Sequence, residues 1–500
     1  MGKAELVRRG LTRRQALGVL GSGSGTAAVL LLAACGSSTS GASSSTAASV
    51  APSIPAALTS TSVATATTAA TATTAATLSQ AVAANVGTVT KSQGTLRLFD
   101  YDSQPSEAPK QDLLKQFTQQ TGFQVELDPN IPGAFDQKLL VQVASGSAPD
   151  VTKAYGDPLF SLVAGGGIAD ITPLVARDIS TAEIDDFLPS QYQMFIDKGH
   201  QYALPKYVSS HLYFGNKAMF RQAGLSFPTA TTTWDQFVAM GGSLTKKQGA
   251  AYSQFALSSG MANLSGFLSQ IVWSWGGEVV DPKDNSICLL DQPAALDALQ
   301  YVQDLIWKQH IAPQPTEVTA LGKDAFGNAR FATEESGSAS LRDLRLNHPQ
   351  MELDFFLNPL GPTGTTANYH TTDCYAMLKG SQSKNTDGAW QLLRFVTAPT
   401  WERMLIEQEQ MQPARQSLAK EWLASVRSVT PTLQSANLEA FLTALTQARP
   451  QLRFSNGPKA LAILNPVIDA VYNKNTTPAR TAFTQAAPQV TAALKAASTS

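Results

Sequence analysis

Between Gly94 and Asp157 the apolar residues switch repeatedly between a two-residue and a roughly four-residue period, and no other feature restricts the fold as tightly. Thr95-Leu96-Arg97-Leu98-Phe99 alternates as a strand does. Leu113, Leu114 and Phe117 then lie on one helical face, and Phe123-Gln124-Val125-Glu126-Leu127 is a second strand. A helix through Phe135, Leu139, Leu140 and Val143 follows, then a turn at Ser145-Gly146-Ser147-Ala148-Pro149 and a strand from Asp150. Strand and helix in strict alternation with short connections specify a largely parallel sheet covered by helices. Ligands of such sheets sit beyond the carboxyl ends of the strands. Asp100, Tyr101 and Asp102, after the first strand, and Tyr155, Gly156 and Asp157, after the third, are therefore expected on the rim of one cleft.

From Gly94 onward the chain holds roughly 400 residues, too many for one compact core, so two lobes are expected. With 37 basic and 38 acidic side chains the net charge is -1, and no basic stripe points to nucleic acid. Cys288 and Cys374 read as small buried residues whose spacing does not decide whether they pair. Apolar periods through Leu296, Leu299, Val302, Leu305 and Ile306, and through Leu461, Leu464, Val467, Ile468 and Val471, mark core faces. Chemistry-bearing patterns are lacking. His200, His211, His310, His348 and His370 show no metal-ligand spacing, and no nucleophile elbow or phosphate loop occurs in this body. The adjacent pairs Asp185-Asp186 and Glu334-Glu335 read as solvated faces. Glycoside hydrolysis needs two carboxylates about 5 to 10 Å apart across the scissile bond, whereas neighbours in sequence usually point apart. Neither a catalytic role, a metal nor a cofactor is expected.

The start of the chain is of another kind. Arg8, Arg9, Arg13 and Arg14 precede an apolar segment from Ala16 to Leu32 that four glycines interrupt, too short and broken for the ~20 apolar residues of a spanning helix. Leu32-Ala33-Ala34-Cys35 resembles the bacterial lipobox, which implies that residues 1–35 are a lipoprotein signal and that Cys35 carries the lipid. Thr12-Arg13-Arg14-Gln15-Ala16-Leu17 resembles a twin-arginine export motif, with an ordinary Sec signal as the alternative. Residues 36–93, rich in Ser, Thr and Ala and without aromatic residues, are expected to form a disordered stalk, because they cannot bury enough apolar surface to offset the entropy of ordering.

Several separated segments then carry a resemblance. Val143-Ala144-Ser145-Gly146-Ser147-Ala148-Pro149-Asp150-Val151, the run Leu162 to Leu174, and Tyr202-Ala203-Leu204-Pro205 come first. Asn216-Lys217-Ala218-Met219-Phe220, Thr233-Trp234-Asp235-Gln236-Phe237, Gly276-Gly277-Glu278-Val279, Ala389-Trp390 and Pro413-Ala414-Arg415 follow. Their order and spacing resemble the extracellular solute-binding proteins of ABC importers, in the group containing maltose-binding proteins. Two departures stand out. Gly215 replaces the usual Tyr or Trp before Asn216-Lys217, and Ser336-Gly337-Ser338-Ala339-Ser340-Leu341-Arg342 lacks the aromatic common after the glycine turn.

The resemblance implies an α/β, two-lobed periplasmic-binding-protein fold of type II: two mostly parallel sheets flanked by helices, with a hinge between them. Lobe 1 would span 94–207 plus 372–412, lobe 2 would span 212–369, and helices in 413–496 would pack on both. It also implies capture of a sugar or oligosaccharide by hinge closure and delivery to the transmembrane subunits of an ABC permease, by a monomer held to the outer face of the bacterial membrane by its lipid. A sugar needs planar hydrogen-bonding groups and aromatic faces. The ligand-binding residues so implied are Asp102, Tyr155, Asp157, Tyr207, Asn263, Phe267, Trp275, Tyr369 and His370. Asp157 has a helix-capping role as its alternative, while Tyr207, Tyr369 and His370 have hinge packing as theirs; Trp273 reads as core. A polyamine, a phosphorylated polyol or an iron chelate stays open as ligand because of Lys206 and Arg342. A glycan hydrolase and a chemoreceptor-coupled sensor are further alternatives.

Overall fold

Eleven strands hydrogen-bond into one mixed sheet. The computed structural model describes residues 94–100, 107–128, 135–450 and 452–498, all within the unit Ala64–Ser500. Cys35, the signal at 1–35, the stalk at 36–93 and Asp102 lie outside the described residues. The strands are β1 (Gly94–Phe99), β2 (Phe123–Asp128), β3 (Val151–Tyr155), β4 (Ala203–Asn216), β5 (Lys246–Gln248), β6 (Ala251–Leu257), β7 (Phe331–Gly337), β8 (Leu353–Phe356), β9 (Asn368–Met377), β10 (Gln412–Pro413) and β11 (Ala448–Pro450). Their order is β2-β1-β3-β9-β4-β7-β6-β5, with β8 and β10 also on β4 and β11 on β9.

Two long strands carry the chain between the halves of this sheet. β4 pairs antiparallel with β9 from Ala203 to Ser210 and with β7 from His211 to Gly215. β9 in turn pairs with β3 through Asp373–Met377. Parallel pairing, expected to predominate, joins β1 with β2 and β3, β6 with β7, and β9 with β11. The halves therefore share one continuous sheet, because the crossing strands bond to each other as well as to their own lobes.

Strand alternation sorts the core into layers. In the first half Leu96, Leu98, Leu204, Tyr375 and Met377 face one cluster, while Phe99, Ala203, Cys374 and Ala376 face the other. In the second half Tyr213 faces one cluster and its neighbours Leu212 and Phe214 face the opposite one. The helices Ala419–Ser428 and Glu439–Gln447 bury Trp422 and Phe441 in the latter. Gly457–Ile468 and Ala479–Ser498 bury Leu464 and Val490 in the former. The apolar faces of these C-terminal helices thus belong to second-half clusters. Polar groups nearby reach the first half, as where Arg415 meets Asp186 at 3.3 Å. Cys288 and Cys374 are free and buried.

The motifs have local physical causes. Thr233 accepts from the Gln236 amide at 3.2 Å while Gln236 Oε1 accepts from the Thr233 amide at 2.9 Å. This is a capping box that starts helix Trp234–Leu244. Asp150 Oδ2 accepts the Arg97 amide at 2.8 Å and so ties β1 to the start of β3. Gly215 explains itself by contact, since a Cβ there would lie 2.5 Å from Phe227 Cζ. Phe227 packs edge-on to Phe220 and Phe356, so an aromatic from a neighbouring loop occupies the space over position 215.

Candidate functional site

One face of the crossing strands gathers polar side chains from both halves. On β4 this face carries Tyr207, Ser209 and His211. Opposite them in register stand Asp373 and Thr371 on β9 and Gly337 on β7.

At the first-half end, Asp373 Oδ2 accepts the Tyr207 hydroxyl at 2.8 Å and pairs with Lys153 Nζ at 2.9 Å. The Lys153 ammonium also lies over the Tyr207 ring, 5.6 Å from its centre. Tyr155, two residues along β3, is an exposed aromatic immediately before helix Gly156–Ala164, and Asp157 is the second residue of that helix. Tyr155 makes no side-chain cap there.

At the second-half end, Tyr369 stacks on His211 with ring centres 4.1 Å apart and planes at 24°. His211 Nδ1 bonds Glu335 Oε1 at 3.0 Å, and Gln270 Nε2 donates to the same oxygen at 3.1 Å. Gly337 permits this packing, because a Cβ there would lie 2.8 Å from His211 Nε2. Burial pushes the Tyr369 phenol far up, with Glu335 adding to the shift, so it stays a neutral hydroxyl. Glu334, on the opposite face of β7 beside Phe214, is raised to about 7 by burial and by the nearby Glu335 and Asp324. The Glu334-Glu335 pair thus points apart, but from a half-buried strand and not from a solvated face.

The structure separates the other sequence candidates. Asn263 is exposed, directly before the turn Leu264–Leu268. Phe267 is 4% exposed and packs edge-on to Trp234 within the second-half core, because its turn faces inward. His370 is fully buried with Nδ1 3.0 Å from Thr372 Oγ1, since alternation turns it away from the Tyr369 face. Trp275 is half-buried against Tyr301, ring centres 4.8 Å apart. Trp273 is buried beside Tyr369 and lies under the Arg449 guanidinium at 5.2 Å.

Asp100, expected on the rim, is core. Its carboxylate accepts Lys206 Nζ at 2.8 Å and the Tyr375 hydroxyl at 2.7 Å, and pairs with Lys110 Nζ at 2.9 Å. Arg342, which had kept an acidic ligand open, lies on Asp343 at 3.3 Å. Sequence reasoning missed Lys153, Asp373, His211, Gln270 and Glu335 as members of this face, since no local spacing links them. A separate cavity of about 340 Å³ is lined by Ser258, Met261, Ile306, Pro313, Val318 and Tyr472 among others, none of them from the crossing strands. Among the described residues no group of His, Cys, Asp and Glu is arranged to hold a metal ion, and no helix is long and apolar enough to cross a membrane.

Two α/β lobes joined by strands that cross between them, with a polar face on the crossing, define a two-lobed solute-binding protein of the type II class. Residues 101–403 match the family described as bacterial extracellular solute-binding protein, and the chain belongs to that family. A binding protein of Brucella abortus (strain 2308) is 23% identical over 314 residues, which is 63% of this chain and 72% of that one. The cyclic alpha-maltosyl-1,6-maltose binding protein of Arthrobacter globiformis superposes with a TM-score of 0.68 at 18% identity, covering 81% of this chain and 100% of that one. UgpB of Mycobacterium tuberculosis, solved with glycerophosphocholine, gives 0.66 at 19% identity over 81% and 100%. These superpositions establish the fold.

Proposed function

We propose that this protein is an extracytoplasmic receptor that captures a neutral sugar or oligosaccharide between its lobes and delivers it to an ABC permease without altering it. The observation that carries this reading is the pairing of charge at the crossing. Lys153 sits on Asp373 and Arg449 on Glu278, while Glu335 is bonded by His211 and Gln270. Such a face favours a neutral ligand rich in hydroxyls over a phosphate or a polyamine, because each committed charge would have to leave its partner to meet an ionic ligand. The exposed Tyr155 ring supplies an apolar face of the kind a pyranose needs. Asp157 and Asp102 belong to the same proposed site, and closure about the crossing strands is the proposed response to ligand. The glycine-to-serine segment after β7, which lacks an aromatic, leaves the ring-facing role to the first lobe.

Thermal unfolding of the purified protein tests the ligand class. Maltotriose, arabinotriose, glycerophosphocholine and spermidine are compared; a ligand present at about 100 times its Kd adds roughly 2.7 kcal/mol, a rise of several degrees in Tm. A shift with a neutral saccharide is expected. A shift with glycerophosphocholine or spermidine alone overturns the neutral-sugar reading.

The lipid anchor is proposed from Leu32-Ala33-Ala34-Cys35. A diacylglycerol joined to the Cys35 sulfur through a thioether would hold the receptor at the outer face of the membrane. The variant Cys35→Ser should move the protein into the medium or leave it unprocessed, as read by fractionation, and fatty-acid label persisting in that variant would refute the assignment.

A further inference from the structure

Residues 452–456 are fastened to the second half. Leu452 and Phe454 pack into its core together with Tyr213, the Ser455 amide donates to the Asn285 carbonyl at 2.9 Å, and Asn456 caps helix Gly457–Ile468, whose Leu464 lies in the same core. Arg453, between the two apolar anchors, reaches the other way. Its guanidinium carbon lies 3.3 Å from the centre of the Phe160 ring, and Nη2 pairs with Asp197 Oδ1 at 3.0 Å. Both partners are first-half residues. Phe160 packs beside Phe99 and Ala203 from helix Gly156–Ala164, the helix that Tyr155 precedes and that contains Asp157. Asp197 belongs to the hairpin of Ile196–Asp197 with His200–Gln201, and Gln201 Nε2 donates to the Ala203 carbonyl of β4 at 2.6 Å. A cation on an aromatic ring and an ion pair thus join the halves through side chains, outside the strands that cross between them.

We propose that Arg453 is an interlobe latch, a positioning residue that holds the spacing of the halves and so sets the affinity for a ligand it does not touch. The proposal rests on the reading of this protein as a receptor that takes its ligand between the lobes. Rotation about β4 and β9 carries Arg453 with the second half and Phe160 and Asp197 with the first, so a change of spacing strains both contacts together. Solvent access lets them part. The Arg453 and Asp197 side chains are 31% and 29% exposed, and water can replace each partner. Arg415, which also bridges the halves, is 3% exposed and held by the buried Glu402 at 3.3 Å, which makes it a fixed joint. A contact of the Arg453 kind is weak enough to open and strong enough to shift a two-state population about threefold to tenfold. It grips the helix that carries Asp157, where lobe spacing decides whether both walls reach one ligand.

Spin labels on the exposed positions 141 and 346, one in each half, read the spacing by electron–electron resonance in full-length protein carrying Val141→Cys, Leu346→Cys and Cys35→Ser; Cys288 and Cys374 are buried. Titration calorimetry with maltotriose and arabinotriose reads affinity. Arg453→Gln should shift or broaden the distance distribution of the ligand-free protein and change the saccharide Kd about threefold to tenfold. The sign tells whether the latch holds the open or the closed spacing. Arg453→Lys, which keeps the charge and loses the planar guanidinium, should fall between. Asp197→Asn should act in the same direction as Arg453→Gln, and the double variant should change Kd by less than the product of the two single effects. Raised salt should move the wild type toward Arg453→Gln, because it screens the ion pair while a neutral ligand has no charge to screen. An unchanged distance distribution in Arg453→Gln, with or without a lower Tm, overturns the latch. A changed distribution with wild-type affinity overturns its link to binding. If the wild type binds no neutral saccharide, the sugar reading fails, and the distance distribution still decides the latch.

Discussion

Replacing Asp100 by Asn is expected to destabilise the first lobe by about 3 to 5 kcal/mol, the cost of leaving a buried charge without its counter-ion. The carboxylate is completely buried and serves three groups: Lys206 at 2.8 Å, Lys110 at 2.9 Å and the Tyr375 hydroxyl at 2.7 Å. Trp401 Nε1 donates to that same hydroxyl at 3.1 Å, and the Lys206 ammonium lies 4.9 Å from the centre of the Tyr375 ring. Loss of the single anion leaves two ammonium groups facing each other in a medium of low dielectric, and the neutral amide offers at most one acceptor to them. Lys206→Met makes the opposite prediction. One lysine still balances one carboxylate, so the cost should be clearly smaller. Urea unfolding of both variants reads the difference. Equal stabilities for Asp100→Asn and Lys206→Met would show that Asp100 is not the shared centre of this network.

Acid should weaken the hinge through His370. Burial, with the nearby His211 as a second cause, lowers its imidazole from 6.5 to about 4. The folded form therefore binds fewer protons than the unfolded form between those values, and stability rises with pH across this window. The contribution is fully present above about 6.5 and is lost as pH falls toward about 4, a change on the order of 3 kcal/mol. The groups around it are Thr372, bonded to Nδ1, and His211 across the sheet; Nε2 has no partner among the described residues. Glu334 acts in the opposite sense. Its carboxyl, raised from 4.5 to about 7, favours the folded state at low pH, and that contribution declines as pH rises through the same range. The variant His370→Gln separates the two, since it removes the acid limb and leaves the Glu334 slope. The Tm of wild type and variant should diverge as pH falls from 7 to 4.5, with the wild type losing more. Parallel curves would show that His370 is not titrating from a buried neutral state.

The pattern of elements was legible because strand and helix periods are local. β1, β2 and β3 and the helices between them follow from the spacing of Leu96, Leu98, Leu113, Leu114, Phe117 and Phe123, which bury together in one cluster. Thr233 to Phe237 could be recognised as a signature because a capping box is itself a local arrangement. The site was legible only in part. Tyr207, Tyr369 and Asn263 lie at or beside the crossing, where the family resemblance implied contact with ligand. Phe267 and His370 were placed there by the same argument and are buried, because which side of a turn or strand faces a neighbouring element depends on that element. Glu335 was set aside as half of a solvated pair, yet it anchors His211.

Sequence alone determined the succession of strands and helices, the family, and the distinct composition of residues 1–93. Tertiary structure decided which polar residues are consumed in the interior and which are presented. Asp100 and Lys206 are 106 residues apart, and Tyr207 and Asp373 are 166 apart, so no window of the chain contains both members of either pair. The reason is physical: periodicity records how one segment meets a core, whereas the environment of a charge is set by whatever distant strand the sheet brings against it.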